Sequence, residues 1–158
     1  MAQYLKLARL YFLLLGLVAT GRWLMGTAFH VTYARGNPVF SIVTLTALAA
    51  IFYGAFCRRW RGFTPWQAAV MGLIMGLASQ MVIFGLTLLS YALGLSTYFN
   101  HPIAVTGVDT AGPVPFARAV TARLSGLIGN PITAAIIGAL GWACGGLLPS
   151  EKPAGATK

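Results

Sequence analysis

At 158 residues, 58% hydrophobic and only 8% charged, the chain is too apolar for a soluble domain, where about a quarter of residues carry charge. Its mean hydropathy of +0.77 indicates one compact membrane domain. Eleven Lys and Arg against two acids give a net charge of +9, but these cations flank apolar runs, where they set topology and meet anionic lipid instead of forming a nucleic-acid surface.

The two acids, Asp109 and Glu151, both lie outside the apolar runs. One chain therefore cannot assemble a carboxylate pair for acid–base chemistry, or the intramembrane acid on which cation coupling usually rests.

The chain opens with Lys6 and Arg9 and then runs apolar to Phe29. A helix needs roughly 20 residues to cross a bilayer core of about 30 Å, so residues 5–29 read as a first span and not as a cleaved signal peptide. Arg22 interrupts this span toward its outer end, on one i, i+4 row with Gly26 and His30. Two readings compete. The guanidinium snorkels to the headgroups, or it is buried and holds an anion, a lipid phosphate or Asp109. An arginine at mid-membrane costs roughly 2.5–3.5 kcal/mol on insertion scales, so Arg22 is expected to face protein, beside Gly26, and to meet a polar partner.

Asn37 followed by Pro38 has the pattern of a helix cap and first turn. It predicts a second span over about residues 39–57, with Thr44, Ala47, Ala50, Gly54 and Cys57 as a small-residue stripe. Arg58, Arg59, Trp60 and Arg61 then read as an interfacial anchor. Cys57 and Cys144, each near the end of an apolar run, read as small packing residues and not as a disulfide.

Thr64 and Pro65 repeat the cap pattern and open the third span, within an uncharged stretch covering residues 62–100. This span has two faces. Gly72, Gly76, Ser79, Gln80, Thr87, Ser90, Tyr91 and Gly94 recur at helical spacing, broken near Ile83. Leu73, Ile74, Leu77, Met81, Phe84 and Leu88 cover the other side. In lipid, small residues let backbones approach and hydroxyls or amides bond across the contact, so the first face should meet protein and the second lipid.

The longest connection, about residues 96–114, carries His101 and Asp109 and starts with aromatic residues, as a segment folded onto the membrane surface would. Residues 116–129 read either as an interfacial helix or as the outer part of a kinked fourth span, with the kink at Asn130-Pro131. Residues 132–148 complete that span, with Ala134, Gly138, Gly141 and Gly145 on one face and Pro149 as the stop. Gly-Asn-Pro occurs at both 36–38 and 129–131 and is taken only as support for helix starts there. The expected fold is all-α: an integral membrane four-helix bundle over residues 1–149 with a polar cytoplasmic tail over 150–158.

Chemistry is sparse. His30 and His101 are the only histidines, and with Asp109 and Met25 they fall short of a metal or haem ligand set. No Gly-x-Ser-x-Gly elbow or phosphate-binding Gly-x₄-Gly-Lys-Ser/Thr loop occurs. No catalytic residue, metal or cofactor is therefore assigned, with a bound lipid or quinone as the alternative to an empty bundle. The candidate ligand or anion contacts are Arg22, His30, His101 and Asp109. The candidates for helix packing or pore lining are Gly72, Gly76, Gln80, Thr87, Ser90, Gly138, Gly141 and Gly145.

These features lead to an expected role as a structural or accessory subunit of a larger membrane complex. The alternatives are a homo-oligomeric channel or carrier for a small anion or neutral solute, and a lipid- or quinone-binding protein. The partners would be membrane lipids and other subunits or a second copy of the chain, without nucleic acid.

Charge orients the chain. With the N-terminus inside a bacterial inner membrane, Lys6, Arg9, Arg58, Arg59, Arg61, Lys152 and Lys158 fall on the cytoplasmic side, and only Arg35, Arg118 and Arg123 outside, as the positive-inside rule requires. A reporter fused after Lys158 is therefore expected to be active only in its cytoplasmic form. A Gly107→Cys variant is expected to react with an impermeant thiol reagent in intact cells; reaction only after lysis reverses the orientation.

Overall fold

The computed structural model describes residues 2–109 and 112–147. The predicted tail and the Pro149 stop lie outside the described residues. The first span is α1 (Ala2–Leu7) followed by α2 (Arg9–Thr27). The Ala8 N–H bonds Tyr4 O and the Phe12 N–H bonds Ala8 O, so the hydrogen-bond ladder passes through the junction. A short α3 (Tyr33–Gly36) precedes α4 (Ile42–Arg61). Then come α5 (Pro65–Ala92), a short α6 (Pro102–Thr106) and α7 (Phe116–Cys144), which ends in a 3-10 turn over Gly145–Leu147. Four of these helical segments are long and apolar enough to cross a membrane, and the chain is an all-helical integral membrane protein.

Local sequence explains most boundaries. The Thr64 hydroxyl accepts from the Gln67 N–H and the Gln67 side chain accepts from the Thr64 N–H, a capping box that satisfies two orphan donors. α4 ends at Gly62, whose φ of +64° is the left-handed conformation glycine adopts without strain.

Several boundaries differ from the sequence reading. α4 starts later than Asn37-Pro38 suggests, because Ser41 provides the cap, its Oγ accepting from the Thr44 N–H at 3.3 Å. Asn37 lies in a turn and serves Arg22 instead. The predicted stripe of the second span shifts accordingly: Thr44 is exposed, and Thr46 is buried with Ala50, Gly54 and Cys57. α7 runs unbroken with Pro131 inside it, so residues 116–129 are the first half of the fourth span and not a separate surface helix. The repeated Gly-Asn-Pro thus lies in a turn at one copy and in mid-helix at the other.

The tightest packing joins α4, α5 and α7, and glycine makes it. A Cβ on Gly72 would lie 2.8 Å from the Ala134 carbonyl carbon, one on Gly76 2.7 Å from Pro131 Cα, one on Gly138 2.7 Å from Ala68 O, and one on Gly145 2.6 Å from Ala55 O. Gly54 and Gly141 are equally close to the Gly138 and Ile51 backbones. All of these contacts lie toward the end of the bundle that carries Arg58, Arg59 and Arg61, the basic face. There Arg58 Nη1 donates to the Trp142 and Ala143 carbonyls at 3.0 and 2.9 Å, and its guanidinium lies 4.2 Å from the Trp142 ring centroid. A cation thereby sits on carbonyls at the negative end of α7.

α2 joins through side chains instead. Tyr11 is buried, donating to Met75 O at 2.9 Å with its hydroxyl 3.0 Å from that of Thr46.

On α5, Gly72, Gly76, Ser79, Gln80, Thr87 and Ser90 are buried, while Leu73, Leu77 and Met81 are exposed. Met71, Met75 and Ile83 are buried as well, so the protein-facing side is broader than the small and polar stripe. Gly94 lies beyond the helix end, exposed, with φ +64°. Cys57 is buried and Cys144 exposed, both as free thiols.

Two glycine substitutions separate close contact from mere helix propensity. Gly72→Ala is expected to destabilise the detergent-solubilised protein by about 1–3 kcal/mol, the usual effect of overpacking. Gly85→Ala meets nothing within 4 Å and is expected to be neutral or slightly stabilising. Equal thermal midpoints for the two variants would contradict this assignment.

Candidate functional site

The end of the bundle opposite the basic face is covered by the connection between α5 and α7, and that connection folds inward. Thr97, Tyr98 and Phe99 are buried. The polar residues of α5 hold them. The Ser90 and Thr97 hydroxyls are 2.7 Å apart, and the Thr87 hydroxyl lies 3.2 Å from Phe99 O. Tyr91 donates to Val114 O at 2.6 Å and fastens the far end. Tyr98 enters a slot against Gly26 and Gly36, where an added Cβ would collide with its ring or hydroxyl, and donates to Val31 O at 2.6 Å. Thr87 and Ser90 therefore anchor the loop.

Beneath the loop lies a cavity of about 240 Å³ on which Arg22 and Arg123 both open. Arg22 continues the buried row Tyr11, Leu15 and Ala19 of α2 and is 8% exposed. Its Nη1 donates to Asn37 Oδ1 at 2.7 Å and Phe40 O at 3.2 Å, and its Nη2 to the Tyr33 hydroxyl at 3.3 Å. The rings of Tyr33, Tyr98 and Phe99 surround it at 5.5–5.6 Å from centroid to guanidinium carbon, within cation–π range. Arg123, on α7, donates from Nε to Thr87 Oγ1 at 3.2 Å, from Nη1 to Ala104 O at 3.1 Å and from Nη2 to Phe99 O at 2.6 Å.

Every one of these partners is neutral. A guanidinium has five N–H groups. Three are bonded on each arginine, leaving two on each without an acceptor among the described residues. Among the described residues, no acidic side chain lines the cavity. Two positive charges thus share a partly desolvated space with no counter-charge among its described lining residues, the arrangement that attracts a bidentate anion.

Val43 lines both this cavity and a narrow cleft of about 50 Å³ that runs deeper between α4, α5 and α7, past Thr46, Gln80, Asn130 and Thr133. Gln80 is 4% exposed and has no hydrogen-bond partner among the described residues. Gly126 leaves room for the amides: a Cβ there would lie 3.1 Å from Gln80 Oε1 and 3.4 Å from Asn130 Nδ2.

The sequence-level candidates divide. Arg22 is in the cavity. His101 adjoins it by stacking on Tyr33, with ring centroids 4.4 Å apart. Asp109 is exposed, and its charge acts on His101, not as the partner suggested for Arg22. His30 is exposed with φ +48°. It follows the end of α2, where the Val31 N–H bonds back to Met25 O at 2.9 Å, so the row from Arg22 ends at Gly26 and His30 turns away from the cavity. Among the described residues, no three His, Cys, Asp or Glu side chains stand together.

Arg123, Asn37, Tyr33 and Phe99 were not among the candidates. Arg123 was legible in principle, since it extends the row formed by Pro131, Ala134, Gly138 and Gly141 on α7.

Fold and site define a polytopic α-helical membrane protein with an arginine-lined cavity near one end of the bundle. The chain matches no family model, no curated protein and no solved structure.

His101, outside the membrane-spanning segments, has its pKa pushed below the ordinary value of about 6.5 by burial, with Asp109 opposing weakly. Its Nδ1 accepts the Ile103 N–H at 3.3 Å, a cap on α6 that requires a neutral ring. The unfolded chain takes up this proton first as pH falls, so stability from this group is present above the unfolded pKa and lost as pH drops from about 6.5 to the folded value. An NMR titration of His101 is expected to show a midpoint below 6.5, and His101→Asn, which can keep the cap, is expected to remove this acid sensitivity.

Proposed function

We propose that the protein binds an anionic group, phosphate or carboxylate, in the cavity between Arg22 and Arg123, within the membrane near its outer surface. The observation that carries this reading is the pairing of two guanidiniums from different helices on one cavity, with neutral partners, spare N–H groups and no carboxylate among the described lining residues. In this reading the basic face is cytoplasmic, which the gathering of Lys6, Arg9, Arg58, Arg59 and Arg61 there supports. The subunit role suggested by small-residue faces loses support, because Gly72, Gly76, Gly138, Gly141 and Gly145 are closed against the chain's own helices.

The anion has two sources, a lipid headgroup and a dissolved solute. The cleft descending to Gln80 and Asn130 favours a second reading, a carrier in which a small anion passes from the arginines toward the middle of the membrane. Its polar lining offers donors where an anion leaving Arg22 and Arg123 would need them.

The test is thermal unfolding of the purified protein in neutral detergent, titrated separately with inorganic phosphate and with phosphatidylglycerol. The wild type is expected to be stabilised by at least one of them. Arg22→Gln and Arg123→Gln are each expected to weaken that response about tenfold, the loss of one or more charge-assisted hydrogen bonds. Stabilisation by phosphate assigns a solute anion, and by phosphatidylglycerol alone a lipid headgroup. Responses in both variants equal to the wild type, or no response to either titrant, would overturn the proposal.

A further inference from the structure

We infer that a second, separate site on this chain holds an anionic phospholipid in the furrow between α2 and α4, on the leaflet at the basic face. Two hollows of about 520 and 220 Å³ lie along this seam and share Leu10, Phe52 and Tyr53 as walls, so they form one continuous furrow. Its end at the basic face is lined by Lys6, Arg9 and Arg61, with no acidic residue among the described residues there. None of these three cations is hydrogen-bonded or ion-paired to a described residue. Its other end is lined by Leu14, Leu45 and Leu48. The furrow exists because α2 meets the bundle through bulky side chains such as Tyr11, not through glycine contacts of the kind that close α4 onto α7.

The dimensions suit one lipid. From Arg61 to Leu45 along α4 the rise is about 24 Å at 1.5 Å per residue. That spans a headgroup region and the roughly 15 Å of hydrocarbon in one leaflet, half of a 30 Å core. The charge pattern selects among lipids. A phosphate among three cations is favourable, whereas the added ammonium of a zwitterionic headgroup would be repelled by the same three groups. An acidic peptide would use the cationic end but not the apolar length, and a neutral lipid only the reverse.

The site shares no lining residue with the Arg22–Arg123 cavity and lies at the opposite end of the bundle, so the two can be tested separately. The probes are phosphatidylglycerol and phosphatidylcholine of equal chain length, added to the full-length protein in mild detergent and read by native mass spectrometry. The Arg22→Gln/Arg123→Gln background is used throughout, so that binding at the other cavity does not contribute. Retention of phosphatidylglycerol over phosphatidylcholine is expected. Lys6→Gln/Arg9→Gln/Arg61→Gln is expected to lower it about tenfold or more. Ala49→Phe, which fills the apolar half without touching a charge, is expected to lower it too.

Unchanged helical circular dichroism in each variant separates lost binding from lost folding, and the exposed Arg61→Gln alone, expected to give a partial loss, is read if the triple variant does not fold. The inference is overturned by equal retention of the two lipids, by phosphatidylglycerol retention unaffected by the charge substitutions, or by a dimer that binds neither lipid because a second copy occupies the furrow.

Discussion

The architecture depends on backbone-to-backbone contact among α4, α5 and α7. Apolar surface gains nothing by leaving lipid for protein, so helices in a membrane associate through close van der Waals contact and hydrogen bonds, and small residues permit both. Gly54, Gly72, Gly76, Gly138, Gly141 and Gly145 supply that contact, all toward the basic face. Toward the other end the pattern stops. Gly85 and Gly129 face open space, and Gly126 meets only side-chain amides. The same three helices are therefore sealed at one end and kept apart by side chains at the other. The cavity lies in the part that glycine does not close, and the cleft beneath it reaches down to the first glycine contacts, at Asn130 and Ala134.

The loop over the cavity is held by the polar groups the helices bring to their wide end. Thr87, Ser90 and Tyr91 of α5 bond the connection between α5 and α7, and Arg123 reaches Phe99 and Ala104 from α7. Arg22 approaches from α2 and bonds Asn37 and Tyr33 on the other connection. Each arginine therefore has a structural task, tethering loop to bundle. That task leaves the charge uncompensated. Backbone carbonyls and hydroxyls satisfy donor geometry, but they do not neutralise a guanidinium in a low-dielectric setting. An anion placed between the two would satisfy the remaining donors and reduce the mutual repulsion.

α2 stands apart in how it is attached. Its buried row, from Tyr11 through Leu15 and Ala19 to Arg22, meets the bundle by side chains. Its flanks therefore leave furrows. One flank, against α4, runs from cations to leucines. The other, against α5, is almost wholly apolar and is lined by Gly16, Ala19, Trp23, Met81 and Gly85. The asymmetry follows from sequence: Lys6, Arg9 and Arg61 converge on the α4 side, and no ionisable residue among the described ones lines the α5 side.

Four spans, the all-helical class and the two faces of α5 could be read from the sequence, because in a membrane the length and periodicity of apolar runs are direct physical requirements. Arg22 also stood out, since a charge inside an apolar run demands a partner. The identity of its partners did not follow. Asn37 has the sequence of a helix cap, and only the fold decides that Ser41 caps α4 and leaves Asn37 to Arg22. Arg123 and Phe99 are distant from Arg22 in the chain and meet it only because the connection between α5 and α7 folds into the bundle. Pro131 reads as a break, yet it lies within one continuous helix. Local propensity and hydropathy specify which segments cross the membrane. Which side chains share a cavity is decided by contacts between segments far apart in sequence, and these depend on where glycine allows the helices to touch.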